Sequence, residues 1–432
     1  MKLAMVGAGY VGLVTSVCFA ETGNHVICVD KDPARIDNLN KGVLPIYELG
    51  LDELCQHNVK AGRLTFTTDL TDAVQRSEIV FLAVGTPPRE DGSADLTAVH
   101  AVADGIARAM DRPILIVVKS TVPVGTTAEL KQRISARTSI PFEVANNPEF
   151  LKEGLAIDDF NKPDRVIVGV EKPEVADVLR ELYGPFMRGG NPLIVTDLKT
   201  SELIKYVANS MLATKISFIN EMANLCEVLG ADIHLLRRGV CSDKRIGSEF
   251  MFPGIGYGGS CLPKDVPALV ETARQHSFDC RLLKAVHQIN LLQPTRMLDR
   301  IKAYLGGRLE GRKIAVWGVA YKSGTDDVRF SPSLAIVQAL VKAGAKVQVH
   351  DPQAVPKARM ELGDKVAFFD DSYACLDGAD ALLIGTDWRE YRSPDFDRIK
   401  SSLKHPAIFD GRNVLEGARV RARGFAYFGV GI

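Results

Sequence analysis

The sequence predicts an α/β chain with two doubly wound parallel sheets and a helical middle, and three observations predict it. Near the start, "KLAMVGAGYVGLVTSVCFAETGNHVICVD" reads as an apolar strand, a glycine turn, a helix-like stretch ending at Gly23 and a second strand ending in Asp30. In the middle, "TSELIKYVANSMLATKISFINEMANLCEVLG" reads as one long helix. From Lys313, "KIAVWGVAYKSGTDDVRFSPSLAIVQALVKAGAKVQVHDP" runs through strand, turn, helix and strand again. The first and third are Rossmann-like units joined by a helical middle domain with a long central helix. Joints near 196 and 305 give domains 1–196, 197–305 and 306–432.

The first unit carries Gly7-x-Gly9-x-x-Gly12. Gly7 serves the tight turn, Gly9 lets pyrophosphate approach the backbone, and Gly12 packs helix on strand. The phosphates then meet the free N–H groups of a helix N-terminus. Asp30, 18 residues beyond Gly12, suits a ribose 2′-hydroxyl and repels a 2′-phosphate, so NAD is expected rather than NADP, with Lys31 softening that repulsion. The same opening has the outline of a signal peptide, but the strand–turn–helix pattern accounts for it better. Two further strands, in "EIVFLAVGTPP" and "ILIVVKSTVPVGTT", end in small polar turns. Ligands of such sheets lie beyond the carboxyl ends of strands, which places Thr86, Ser120 and Thr121 at the cofactor edge; ordinary turn and capping roles are the alternative. In "VANNPEFLKEG", Glu149 and Glu153 would share a face if helical, and a surface pair is the commoner explanation.

The long helix has cap candidates at Thr200 or Ser201 and ends at Gly230. Its roughly 30 residues reach about 45 Å. Because it is apolar around much of its circumference, Lys205 and Asn209, one turn apart, are costly to bury unless something polar faces them; a solvated stripe is the other reading. The last domain keeps Gly318 but lacks the other two fingerprint glycines, so it should hold a different ligand, and its Asp351-Pro352 echoes Asp32-Pro33. Lys322, Arg329 and Arg412 supply cations at strand ends, suited to a diphosphate.

Bulk properties narrow the partners. The 432 residues carry 53 basic and 53 acidic groups, a balance that gives no net field for nucleic acid or an anionic membrane and favours a small molecule. No apolar run approaches the roughly 20 residues a bilayer needs. The eight cysteines are scattered without a C-x-x-C, as expected of reduced thiols in a cytoplasmic protein with no structural metal.

One cysteine stands apart. In "PGIGYGGSCLPKD", Cys261 follows a glycine run and precedes a Lys-Asp pair. It could be a packed thiol, a metal ligand, half of a disulfide or a nucleophile. A nicotinamide cofactor takes hydride. A thiolate that adds to an aldehyde makes a thiohemiacetal, which can lose hydride to become a thioester that water opens to the acid. The glycines would let substrate approach the backbone. Pro263 and Pro267 suggest a helix starting within a turn of the thiol, and that helix end, with Lys205 or Lys264, would favour the thiolate.

The stretches "GAGYVG", "STVPVGT", "NPEFLKEG", "SELIKYVANS", "GYGGSCLPKD", "AYKSGTDDVRFSPS" and "DGRN", in this order, resemble the UDP-glucose/GDP-mannose dehydrogenase family over essentially the whole chain. The resemblance implies a four-electron oxidation of a nucleotide-sugar C6 alcohol to the carboxylate with two NAD. It also implies a helical middle that makes a homodimer or higher homo-oligomer. By the same resemblance Cys261 is the nucleophile, Lys205 the cation for the developing oxyanion and Asn209 its polar companion. Asp265 and Thr121 position water, and Glu149 does acid–base work. Tyr10, Val11, Lys31, Glu153, Lys264 and Arg329 join the fingerprint residues on the cofactor side. Phe150, Leu151, Phe250, Tyr257, Gly258, Lys322 and Arg412 fall on the substrate side, and Arg245 reaches a neighbouring subunit's sugar site. "SDKRIG" and "GIGYGGSC" look like the UDP-glucose branch. Ser260 stands where the branch oxidising N-acetylated sugars usually has His.

Overall fold

The computed structural model describes residues 1–187, 190 and 192–432. The chain divides into two compact units, Met1–Ala208 with Glu271–Phe278, and Asn209–Val270 with Asp279–Ile432.

The first unit is built on eight strands: β1 (Lys2–Val6), β2 (His25–Val29), β3 (Leu64–Thr67), β4 (Ile79–Leu82), β5 (Ile114–Val118), β6 (Phe142–Asn146), β7 (Val166–Val170) and β8 (Leu193–Thr196). Their order is β3-β2-β1-β4-β5-β6-β7-β8. The first six are parallel, and the reversal of order between β1 and β4 creates the crevice where ligands of such sheets bind. β4 and β5 are buried at every residue, which is why they read as continuous apolar runs rather than alternating ones. β7 returns antiparallel to β6. Only the short helix Ala156–Asn161 lies between them, and a parallel neighbour would need a crossover back along the sheet.

The second unit contains a six-stranded, wholly parallel sheet: β9 (Lys313–Trp317), β10 (Lys346–His350), β11 (Ala367–Phe368), β12 (Ala381–Ile384), β13 (Ala407–Asp410) and β14 (Ala426–Gly429). Its order, β11-β10-β9-β12-β13-β14, repeats the topology of the first six strands. Gly318 follows β9 at φ 90°, as Gly7 follows β1 at φ 113°. The expected echo between Asp351 and Asp32 is corrected here: Asp351 follows β10 as Asp30 follows β2. Asp351 Oδ2 accepts from the Val319 and Ala320 N–H groups at 2.8 and 3.0 Å, so the turn's own amides occupy the carboxylate.

The long helix spans Leu198–Leu229, 32 residues, and stops before Gly230 at φ 72°. Its start corrects the expected cap. Asp197 accepts from the Thr200 N–H at 3.0 Å and the Thr200 hydroxyl at 2.6 Å, an N-cap that Thr200 and Ser201 do not supply. Ser201 is instead buried, its hydroxyl donating to Asn146 Oδ1 at 2.6 Å. The contact is so close that a Cβ on Gly169 would lie 2.5 Å from the Ser201 Cβ. Glu202 accepts from the Gly125 and Thr127 N–H groups, capping the helix Thr126–Ser135. Among the described residues no helix is long and apolar enough to cross a membrane.

Candidate active site

The dinucleotide turn of the first unit is built as the fingerprint requires. A Cβ on Gly7 would lie 2.6 Å from Ala83 O, and one on Gly12 only 1.8 Å from Gly7 O; nothing lies within 4 Å of that position on Gly9. Gly7 and Gly12 are therefore needed for packing, while the space before Gly9 is open. The helix Tyr10–Glu21 begins there without a side-chain cap or an acidic residue in its first turn, which leaves its N–H groups and dipole for an anion. Asp30, 8% exposed, accepts from the Ala8 N–H at 2.9 Å and pairs with Arg35 at 3.1 Å, while Lys31 is exposed. An open glycine cradle, an uncapped helix end and a carboxylate at the ribose position fit NAD. The Tyr10 side chain leans back to Glu48; Glu48 also takes the Gly154 and Ala156 N–H groups at 2.7 and 2.8 Å. Burial above all, then Glu48, holds the Tyr10 phenol well above its ordinary pKa. Val11 and Glu153 are half-buried, the first at the helix start and the second in the loop bound by Glu48.

Small polar residues tie the loops at the β4 and β5 ends to each other. The Thr86 hydroxyl donates to Thr121 O at 2.9 Å, and the Ser120 hydroxyl to Val84 O at 2.7 Å. Their hydroxyl protons thus serve the turns, and this bonding holds Thr121 in a defined place.

The segment after β6 is a loop, so Glu149 and Glu153 share no helical face. Nor is Glu149 a surface glutamate. It is 7% exposed, and its Oε1 takes the Lys205 ammonium at 2.9 Å while Oε2 takes the Leu151 N–H at 2.7 Å. Burial pushes the carboxyl up, but Lys205, the Leu151 amide and the charge of Lys119 outweigh it and hold Glu149 below the usual carboxylate range. Phe150 stacks under two cations, with the Arg165 guanidinium 3.9 Å and Lys205 Nζ 5.3 Å from its ring centre.

Cys261, half-buried in the second unit, immediately precedes the helix Leu262–Gln275. Its carbonyl accepts from the Asp265 N–H at 2.9 Å, and the Ser260 hydroxyl lies 3.5 Å from its sulfur. Asp265 is completely buried, accepts from Asn209 Nδ2 at 2.6 Å and pairs with Lys264. The polar partners that burial of Lys205 and Asn209 demanded are therefore Glu149 and Asp265. The glycine run was expected to let substrate approach the backbone, but at two of its glycines protein does so instead. A Cβ on Gly258 would lie 2.4 Å from Phe330 O, and one on Gly259, at φ 82°, 2.7 Å from the Tyr321 ring, so protein fills the space these glycines leave. Tyr257 is buried with its hydroxyl lacking a partner among the described residues, and Phe250 takes φ 62°.

Beyond the second sheet, the half-buried Arg412 donates to Gly385 O at 3.1 Å, Gly256 O at 3.1 Å and Tyr321 O at 2.7 Å. It clamps the loops after β12 and β9 to the glycine run. Lys322 Nζ lies 5.6 Å from the Tyr321 ring centre. Arg329 forks onto Asp327. The Arg245 side chain is 89% exposed and pairs with Asp243. Among the described residues no set of His, Cys, Asp and Glu is placed to hold a metal.

Sequence reasoning missed Lys119, Asn147, Tyr183, Glu48 and Glu202. Lys119 alone left a visible signal, one charge at the end of an apolar strand.

Profiles of one family match the chain in order. They are the NAD binding domain of the UDP-glucose/GDP-mannose dehydrogenase family over residues 1–187, its central domain over 199–291 and its UDP binding domain over 315–417. The UDP-glucose 6-dehydrogenase of Pseudomonas aeruginosa is 46% identical over 441 residues, covering 100% of this chain and 97% of that protein. That of Rhizobium meliloti is 47% identical over 435 residues, covering 100% and 99%. A solved UDP-glucose dehydrogenase from the archaeon Pyrobaculum islandicum has a TM-score of 0.92 at 38% identity, covering 99% of this chain and 97% of its own. With the open cradle at Gly9 and the carboxylate of Asp30, these matches make NAD the cofactor. The chain belongs to the UDP-glucose/GDP-mannose dehydrogenase family of NAD-dependent oxidoreductases.

Proposed function

We propose that this protein oxidises the C6 alcohol of UDP-glucose to the carboxylate of UDP-glucuronate, with Cys261 carrying the second oxidation through a thiohemiacetal and a thioester. The observation that carries the reading is the setting of the thiol. Cys261 is accessible at the start of a helix, behind a glycine run locked by Tyr321 and Phe330, with Asp265 buried one turn further on. A helix N-terminus favours the thiolate, which is the nucleophilic form.

When bound, NAD supplies the hydride acceptor, once per oxidation. Overall, alcohol, two NAD⁺ and water give carboxylate, two NADH and three protons. The thiolate of Cys261 adds to the aldehyde carbon, and the carbonyl π pair moves to oxygen, where the ammonium of Lys205 stabilises it. Loss of hydride from this oxyanion lets the electron pair on oxygen re-form the C=O bond, which gives the thioester. Water, positioned by Asp265 and Thr121, then adds to the thioester carbonyl as Glu149 takes its proton. The C–S bond breaks and the thiolate leaves. Glu149 is ionised at neutral pH and so begins as a base.

In this reading residues 1–196 hold NAD and 306–432 hold the uridine diphosphate, with Lys322 and Arg412 toward its phosphates. Residues 197–305 pair two copies. The stripe Val207, Met211, Phe218, Leu225 and Val228 along the long helix is exposed and apolar, which supports a second copy as its cover. Arg245, exposed and paired with Asp243, suits a reach into the neighbour's sugar site. Arg245→Ala is expected to raise the sugar KM about tenfold or more with NAD binding and assembly unchanged. An unaltered KM in an intact dimer contradicts that assignment. Counting NADH per sugar over a panel of UDP- and GDP-sugars tests the reaction and the sugar together.

A further inference from the structure

Beneath the loop that carries Glu149 lies a second buried cation that the mechanism above leaves without a role. Lys119 follows the wholly apolar strand β5 and is 3% exposed. Its Nζ donates to Asn147 Oδ1 and to the Tyr183 hydroxyl, each at 3.2 Å, and the Tyr183 hydroxyl donates to the same Asn147 oxygen at 2.6 Å. The Phe160 and Tyr183 ring centres lie 6.0 and 5.9 Å from Nζ. Both hydrogen-bond partners are neutral. A buried ammonium held in this way costs stability that an apolar side chain would not, so folding alone gives no account of it.

The surroundings do. Asn147 anchors the loop twice over, its Nδ2 donating to Ile167 O at 2.8 Å while its oxygen takes Lys119 and Tyr183. Two residues on stands Glu149. Lys119 and Glu149 line one cavity of about 60 Å³ with Phe150, Asp164, Arg165 and Tyr183. The charged groups facing Lys119 from its neighbours are Glu149 on the loop and Lys205 on the long helix. Round the cavity, Asp159 is paired with Lys152 at 3.0 Å and Arg165 is stacked on Phe150. Glu149 is thus the carboxylate through which Lys119 can act on the chemistry.

We propose that Lys119 is a positioning residue of the oxidation: through Asn147 it fixes the Glu149 loop, and its buried charge biases Glu149 toward the carboxylate form beside Lys205. The inference rests on the reading of Glu149 as the base. Burial, the largest effect, presses Lys119 down to about 8, against the attraction of Glu149 and with the repulsion of Lys205. The lysine is therefore charged throughout the acidic and neutral range in which Glu149 must stay ionised. A group whose folded pKa is depressed contributes stability that is present above its ordinary value and lost as pH falls through the folded one. At neutral pH Lys119 is accordingly a cost to the fold, and its removal should spare stability.

The test is the pH profile of kcat for Lys119→Gln, which keeps polar bonding, and Lys119→Met, which does not. Both are expected to lower kcat about 10- to 100-fold while leaving both KM values within about threefold. The acidic limb should move up by about one pH unit, because a lost positive charge eases protonation of Glu149. Thermal midpoints at neutral pH should be unchanged or higher. Wild type should gain stability relative to Lys119→Met only as pH rises from about 8 toward the ordinary lysine value of about 10.4. An unmoved acidic limb, full activity, or failure of both variants to fold would each overturn the proposal, the last by making Lys119 a folding residue. Two NADH per sugar from wild type checks the reading of the reaction separately, so an unmoved limb in an enzyme that passes that count sinks only the role of Lys119.

Discussion

Cys261→Ala is expected to lose at least about 1000-fold in overall turnover, roughly 4 kcal/mol of barrier, while folding normally and binding both ligands. The thiol is half-buried. Its contacts include the Ser260 hydroxyl and a helix start whose hydrogen bonds use the Cys261 carbonyl, which alanine retains. Removing one sulfur from such a place leaves a small void at most. The chemical loss is large because a hydrated aldehyde is a poor substitute for a thiohemiacetal as hydride donor. A structural cysteine predicts the reverse, a lowered thermal midpoint with near-normal rate. Measuring kcat and the midpoint on this one variant separates the two.

Lys205→Met should lower kcat about 100- to 1000-fold, the scale for removing a group that stabilises a developing oxyanion. It should also destabilise the protein by about 3–5 kcal/mol, because breaking a buried pair strands one charge. Lys205 and Glu149 are 4% and 7% exposed at the side chain, so the stranded carboxylate has no water to turn to. Glu149 is depressed in the folded wild type, so its contribution to stability is full above its unfolded pKa and is lost as pH falls through the folded value. Without Lys205 burial prevails over the remaining Leu151 amide and Lys119, and the carboxyl moves up. The acidic limb of kcat and the acid unfolding transition should both shift to higher pH. A variant with kcat within tenfold of wild type and an unmoved limb would remove Lys205 and Glu149 from the chemistry.

What was legible in the sequence is what local patterns encode. The Gly7, Gly9 and Gly12 spacing fits a turn whose sterics the structure reproduces, and the second strand–turn–helix–strand run predicts a second doubly wound sheet, whose strand order the structure then supplies. The demand for polar partners around Lys205 and Asn209 was legible too, as a cost of burial, but the partners were not. Glu149 lies 56 residues from Lys205, and Asp265 lies 56 from Asn209; no local period links residues so far apart. The same distance hid Glu202, which caps a helix 75 residues earlier in the chain. The helix start failed for a different reason. Thr200 and Ser201 are both good caps in isolation, but Asp197 competes for that role and Ser201 is drawn into the sheet by Asn146. The glycine run shows the limit of reading residues by type. Glycine permits close approach, and only the fold shows that at Gly258 and Gly259 the close neighbours are Phe330 and Tyr321.

The most direct test of the central claim is the stoichiometry of the wild-type enzyme with limiting UDP-glucose, followed through one complete conversion with an aldehyde trap present. A thiohemiacetal and thioester on Cys261 predict two NADH per sugar, no trapped aldehyde, and an adduct on the Cys261 peptide in quenched samples. One NADH per sugar with free aldehyde released would contradict it.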